Sequence, residues 1–275
     1  MFSILDNKRV APKLHRLTIE APRIAEHRQP GQFIIVHADS EAERIPLTIA
    51  DADKQRGTIT LFVQAVGYTT RRLVGMPPGS RLRDVAGPLG RPTHIEKWGR
   101  VTCVGGGVGT AVLYPMAKAL ANAGNRVSAL LGGRTASLII LKNELAAFCD
   151  RVSISTEDGS LGQKGFVTTI LAAQLKDRES RPQAVFTAGP VPMMRAVVEM
   201  TRPYAIRTIV SLNPIMIDGT GMCGGCRVMV DGEMKFACVD GPEFDGHKVD
   251  FDLLADRLST YREEECRMFK KLEDA

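Results

Sequence analysis

The chain is predicted to fold as an all-β unit, then an α/β unit with a doubly wound parallel sheet, then a small C-terminal metal-binding segment. Three observations predict this. Residues 14 to about 90 alternate as strands do, residues 98–212 alternate strand-like and helix-like stretches, and both periodicities stop after Asn213-Pro214, where cysteines and glycines gather. The expected domains are residues 1–97, 98–212 and 213–275.

In the first unit, alternating runs at 14–19, 31–36, 45–49 and 58–66 are separated by turn residues at Pro22, Pro30-Gly31 and 51–57, which reads as a closed β barrel. In the second, strands at 101–104, 126–131, 151–156, 184–188 and 206–212 are joined by helices at 110–123, 137–148, 165–174 and 191–200. Helical crossovers between successive strands require parallel pairing. Residues 250–272 place Phe251, Leu254, Leu258 and Tyr261 at helical spacing, so a packed C-terminal helix is expected.

Composition narrows the function classes. The chain has 275 residues, 44% of them hydrophobic and 24% charged, as an ordinary globular protein of about two domains does. Its net charge is +5 and basic residues such as Arg71-Arg72, Arg81 and Arg83 are scattered, which argues against a nucleic-acid partner. Asp6 and Lys8 interrupt any signal-peptide core, and no stretch approaches the roughly 18–20 apolar residues of a membrane span. A cytoplasmic protein without a membrane partner is expected. Six cysteines over this length are no disulfide framework. Cys103 and Cys149 lie in apolar segments and are expected in the core, while Cys266 receives no role.

The most specific signal is Asp218-Gly-Thr-Gly-Met-Cys223-Gly-Gly-Cys226, followed by Cys238 after eleven intervening residues. This is the spacing of a plant-type 2Fe-2S loop, C-x4-C-x2-C plus a distant Cys, with Asp218 at the first ligand position. A carboxylate is still an anionic donor, so Asp218, Cys223, Cys226 and Cys238 supply four. Gly219, Gly221, Gly224 and Gly225 let the backbone turn sharply and aim N–H groups at sulfur. A zinc knuckle is the alternative, although zinc ribbons show two C-x2-C pairs where this chain has one.

The other motifs are weaker singly. The strand at 101–104 runs into Gly105-Gly106-Gly107-Val108-Gly109 and then a helix, which suits a pyrophosphate resting on a helix N-terminus. No acidic residue follows about 20 positions on to hold a ribose; the second strand ends instead in Gly132-Gly133-Arg134, and Arg134 suits a 2'-phosphate. A second loop, Ala188-Gly189-Pro190, follows a later strand at the edge where open α/β sheets bind ligands. In the β unit, Arg44-Ile45-Pro46-Leu47-Thr48, with Gly67 and the hydroxyls of Thr69 and Thr70 opening a short helix, reads as a diphosphate clamp. No Ser-His-Asp or Cys-His arrangement is present, so no catalytic acid, base or nucleophile is expected.

In this order, the motifs Pro46-Leu47-Thr48, Gly67 with Thr69-Thr70, Gly87-Pro88-Leu89-Gly90, Gly105 to Gly109, Ala188-Gly189-Pro190 and the Asp-Cys loop resemble the ferredoxin-NADP reductase superfamily. More narrowly they are similar to the electron-transfer subunit of dihydroorotate dehydrogenase. The segment from Met216 to Cys226 with Phe236-Ala-Cys238-Val-Asp-Gly-Pro-Glu-Phe resembles the small subunit of NADH-dependent ferredoxin:NADP oxidoreductase, also described as sulfide dehydrogenase beta subunit. The resemblance implies a Greek-key barrel holding FAD, with Arg44, Pro46, Leu47 and Thr48 at the flavin and Gly67, Thr69 and Thr70 at its diphosphate. It implies NAD(H), with NADP(H) possible through Arg134, on residues 105–109 and on Gly189 and Pro190, and a 2Fe-2S cluster on Asp218 and the three cysteines. It also implies a heterodimer with a larger subunit carrying a further FAD and two 4Fe-4S clusters, through which ferredoxin is served in electron bifurcation. A non-catalytic, zinc-stabilised nucleotide-sensing module is the competing reading from another class.

Overall fold

A computed structural model describes residues 2–261 and 264. The chain forms two compact units. One combines residues 1–91 with 213–242 and the described residues from 250 on; the other combines 92–212 with 243–249.

The first unit begins with strands β1 (Phe2–Ala11) and β2 (Leu14–Glu20), helix α1 (Pro22–His27), strands β3 (Phe33–His37), β4 (Arg44–Thr48), β5 (Asp51–Asp53) and β6 (Thr58–Gln64), helix α2 (Tyr68–Gly75), and strands β7 (Arg81–Leu82) and β8 (Asp84–Leu89). They make a five-stranded sheet, β5-β6-β2-β1-β7, and a three-stranded sheet, β4-β3-β8. Two residues separate β4 from β5 and one separates β7 from β8, so the chain turns two corners that close the sheets into a barrel. Alternation selects the core: Leu17 and Ile19 from β2, Ile34 and Val36 from β3, and Ile59, Leu61 and Val63 from β6 all point inward. Strand β1 lies outside the strands expected from the sequence, because Asp6-Asn7-Lys8-Arg9 breaks its apolar alternation.

The second unit contains β9 (Arg100–Gly106), α3 (Gly109–Asn122), β10 (Arg126–Gly133), α4 (Lys142–Ala146), β11 (Arg151–Thr156), β12 (Gln163–Lys164), α5 (Val167–Lys176), β13 (Ala184–Ala188), α6 (Val191–Thr201) and β14 (Arg207–Ser211). Five parallel strands run in the order β11-β10-β9-β13-β14, with β12 at one edge and an antiparallel strand, Glu243–Asp245, at the other. The strand order reverses between β9 and β13. Helix α3 packs Leu113, Met116 and Leu120 on one face, and α5 and α6 pack Leu171, Leu175 and Val197 on the other. The helix expected at 137–148 is instead a 3-10 turn (Ala136–Leu138) and the short α4. Leu141, at φ 57°, breaks the run, and Ile140 is drawn into the interior.

Within the first unit, residues 213–242 contribute the hairpin β15 (Arg227–Val230) and β16 (Glu233–Phe236), and helix α7 (Phe251–Ser259) follows. The Asp250 carboxylate caps α7 by accepting from the Leu253 N–H at 2.9 Å, and Phe251 and Leu254 are buried. Tyr261, expected on the packed face, is exposed. Cys266 and most of the expected C-terminal extension of this helix lie outside the described residues.

Candidate functional site

The Asp-Cys loop lies on the outward side of barrel strand β3. Ile35 of β3 is buried, and a Cβ placed on Gly219 would come within 2.8 Å of Ile35 Cγ1 and 2.7 Å of Leu89 Cδ1. With φ at +85°, Gly219 is therefore fixed by both conformation and space. Gly221 and Gly224 also have positive φ; Gly225 does not, and contributes through its main chain. Its N–H points at Cys223 Sγ across 3.4 Å.

Those N–H groups set the electrostatics. Cys223 is exposed, and main-chain N–H groups of Gly225 and Asp218 hold its thiol below the usual range. Cys226 and Cys238 are buried with their sulfurs 3.1 Å apart. Burial first, and then the neighbouring Cys226, push the Cys238 thiol up to about 12. Such a pair ionises when a metal takes the place of its protons. The Asp218 carboxylate accepts from the hydroxyl and N–H of Thr220, which keep it ionised. Arg44, expected at the flavin phosphate, pairs with Asp84 at 3.5 Å and adds its positive charge to the surroundings of Asp218. Among the described residues no three His, Cys, Asp or Glu side chains converge on one point. A binuclear cluster takes its donors in pairs and needs no such convergence. Three thiols, one ionised carboxylate and inward N–H groups fit an iron–sulfur group.

In the barrel, Thr48 pairs with Phe33, Leu47 with Ile34 and Pro46 with Ile35. All three are half-buried, and Leu47 packs against the barrel core. Gly67 precedes α2 in extended conformation. Of the hydroxyls expected to hold a diphosphate, Thr69 Oγ1 accepts from Glu43 N at 3.0 Å, which leaves its O–H to donate, whereas Thr70 Oγ1 accepts from Val66 N and Gly67 N at 3.0 and 2.9 Å and donates to Gly67 O at 3.1 Å. Helix α2 also offers an anion its first-turn N–H groups, which have no intrahelical partner. Asn7, on β1, closes the far end of this helix by donating to Val74 O and Met76 O at 2.9 and 2.7 Å.

In the second unit, both glycine loops stand at the reversal of strand order, one after β9 and one after β13. Gly106 and Gly109 are small because the loops touch. A Cβ on Gly106 would lie 2.6 Å from Met193 Sδ and 3.0 Å from Pro190 Cδ, and one on Gly109 would overlap the Ala188 carbonyl. Gly105 abuts Thr110. Gly107 differs: its φ is +54° and a Cβ there would meet nothing within 4 Å. Its N–H donates to Gly132 O at 2.9 Å. Val108 precedes α3 with no side-chain cap, and Pro190 precedes α6 likewise, so two helix N-termini lie uncapped beside the open face of Gly107. Arg134 is exposed in the loop after β10, where Ala136 N donates to Ser160 Oγ at 2.8 Å.

Residues 213–250 match the iron-sulfur cluster binding domain of dihydroorotate dehydrogenase B, and residues 103–199 match the oxidoreductase NAD-binding domain. The chain is 44% identical to a dihydroorotate dehydrogenase B (NAD(+)) electron transfer subunit homolog of Thermotoga maritima, over 95% of this chain and 92% of that one. It is 33% identical to the electron transfer subunit of Bacillus caldolyticus, covering 88% and 95%. A solved structure of an NADH-dependent reduced ferredoxin-NADP oxidoreductase, studied for flavin-based electron bifurcation, superposes with a TM-score of 0.93 at 41% identity over 99% of this chain and 98% of that one. The ferredoxin reductase of carbazole 1,9a-dioxygenase, 19% identical with a TM-score of 0.62, shares the fold. An iron–sulfur-binding segment and an NAD-binding domain thus stand in one chain beside a flavin-reductase barrel, and the chain belongs to the family of dihydroorotate dehydrogenase B-type electron transfer subunits.

Proposed function

We propose that this chain passes electrons between NAD(H), an FAD on the barrel and a 2Fe-2S cluster, as the smaller subunit of an electron-bifurcating ferredoxin:NADP oxidoreductase. The observation that carries the reading is the seating of the Asp218–Cys226 loop on the barrel itself, with Gly219 against Ile35 and Leu89. One compact unit then holds both the flavin platform and the one-electron carrier. Bound flavin accepts a hydride pair and releases single electrons, which is what a nicotinamide and an iron–sulfur cluster need between them.

Of the spans expected from the sequence, 1–97, 98–212 and 213–275, we assign flavin, nucleotide and cluster respectively, except that 92–97 and 243–249 belong to the compact unit of the nucleotide span. The first-turn N–H groups of α2, after Gly67, receive the flavin diphosphate, and Pro46, Leu47 and Thr48 border the ring. The Gly107 main chain and the N-terminus of α3 receive the nucleotide diphosphate, with Gly189 and Pro190 walling the same cleft. Arg134, exposed in the loop after β10, is assigned to the ribose end of the nucleotide. The larger partner supplies a second FAD, 4Fe-4S clusters and the contact with ferredoxin. Reduced thiols are kept in the cytoplasm, which is the location this reading carries with it. No helix among the described residues is long and apolar enough to cross a membrane.

Anaerobically purified protein is expected to be yellow-brown, to contain FAD, iron and sulfide, and to bleach with NADH. A colourless protein that binds zinc would instead support the nucleotide-sensing module. Replacing Asp218 with Cys is expected to retain a 2Fe-2S cluster with a changed potential, because thiolate and carboxylate donate differently to iron. Replacing it with Ala is expected to leave one iron short of a ligand and the cluster labile. Full iron content and an unaltered reduced-state EPR spectrum in Asp218→Ala would move the fourth ligand elsewhere.

A further inference from the structure

We propose that Arg257 is the positioning residue of the cluster loop: from helix α7 it tethers the Cys223–Cys226 turn and makes the bound cluster easier to reduce. The inference rests on the cluster reading above. Arg257 is half-buried in the last turn of α7, and its Nη2 donates to the Gly225 carbonyl at 3.1 Å. That carbonyl shares a peptide group with the N–H of Cys226, and the Gly225 N–H points at Cys223 Sγ. A single guanidinium contact therefore restrains the main chain between two ligand cysteines.

The loop is seated on the barrel at Gly219 and joined to the Cys238 segment through the Cys226 carbonyl, which accepts from Ala237 N at 3.1 Å, but the turn from Met222 to Gly225 brings few side chains of its own. Its glycines bring no side chains, Cys223 is exposed, and Met222 is 87% exposed. The tether, in contrast, is anchored. The Asp250 N–H donates to Met229 O at 3.0 Å on β15, the Asp250 carboxylate caps α7, and Phe251 and Leu254 are buried beneath it. Helix α7 thus grips the hairpin at its start and the ligand loop near its end.

The charge of the guanidinium has a separate effect. Two ferric ions with two sulfides, three thiolates and a carboxylate carry net negative charge, and reduction adds one more electron. A permanently charged cation nearby stabilises the reduced form more than the oxidised one. Outer partners of a metal group also govern how firmly it is held.

The test uses the full chain with its cofactors. EPR-monitored redox titration of R257Q and R257A is expected to give a lower cluster potential than wild type, and R257K to restore it. Loss of iron to a chelator is expected to be about 10-fold faster in R257A, the range seen when an outer partner of a metal ligand is removed. Hydrogen exchange over residues 219–226 in metal-free protein, which reads the tether without any cluster, is expected to be faster in R257A than in wild type. A wild-type potential or wild-type protection in R257A overturns the proposal, and R257Q answers the same questions if R257A does not fold. Absence of a 2Fe-2S signal from wild type is a different failure, that of the cluster reading itself.

Discussion

Four glycines at the end of β9 look alike in sequence, yet they are glycines for different reasons. Gly109 is small because the Ala188 carbonyl fills the space a side chain would take, and Gly106 because Met193 and Pro190 do. Gly107 has room for a side chain but a left-handed φ of +54°, and it is the position open to a ligand. Gly107→Val is therefore expected to raise the KM for NADH by about tenfold or more, equivalent to losing roughly 1.4 kcal/mol of binding. Gly109→Ala is expected to act on the fold, lowering stability by about 1–3 kcal/mol through overpacking. Thermal unfolding beside NADH kinetics separates the two; a Gly107 variant with unchanged KM would make that residue a turn and nothing more. The glycine run was legible in the sequence, but the division of labour within it was not, because it depends on which atoms β13 and α6 bring alongside. The same holds for Arg44, whose neighbours Asp84 and Asp218 are distant in sequence.

Elements were legible wherever a period was sustained. Strands β2, β6, β9 and β13 and helices α3 and α6 have apolar residues repeating at the spacing of their type, and they fall within a few residues of where the pattern puts them. Strand β1 and the segment around α4 did not, since charges interrupt the first and a left-handed Leu141 the second. With β1 goes Asn7, which holds the C-terminal end of α2. At the other end of that helix the Thr70 hydroxyl, accepting from Val66 N and Gly67 N, fixes the approach of the chain. Thr70→Ala is expected to lower stability by about 1 kcal/mol, as loss of a helix cap does. It is also expected to weaken FAD binding, since the first-turn N–H groups would no longer be held in place. Flavin fluorescence titration of the apoprotein checks this; unchanged affinity would mean that the diphosphate is held away from α2.

At the scale of the whole chain, the path passes into the second unit twice, at Pro92 and again at Glu243. A three-residue strand carries no periodicity, so this second passage is not written in the local sequence; it is fixed by pairing of Glu243 with Ser211 on β14. Close to where each passage begins, Thr93 Oγ1 donates to Glu243 Oε1 at 2.6 Å, joining the two segments within that unit. Burial pushes the Glu243 carboxyl up to about 7, with the Thr93 hydroxyl opposing the shift. A carboxyl with a folded pKa above its unfolded value binds more protons when folded, so between about pH 4.5 and 7 stability falls as pH rises. The contribution is fully present below the unfolded pKa and lost on passing through 7, and it amounts to at most roughly 3 kcal/mol. Glu243→Gln keeps an acceptor for Thr93 and removes the titration. The variant is expected to gain stability over wild type as pH is raised from 6 to 8.5, with the two converging towards acid. Calorimetric Tm values across that range decide the matter: a constant difference between variant and wild type would mean that Glu243 ionises without cost, and that the Thr93 bond joins the two segments whether or not the carboxyl holds a proton.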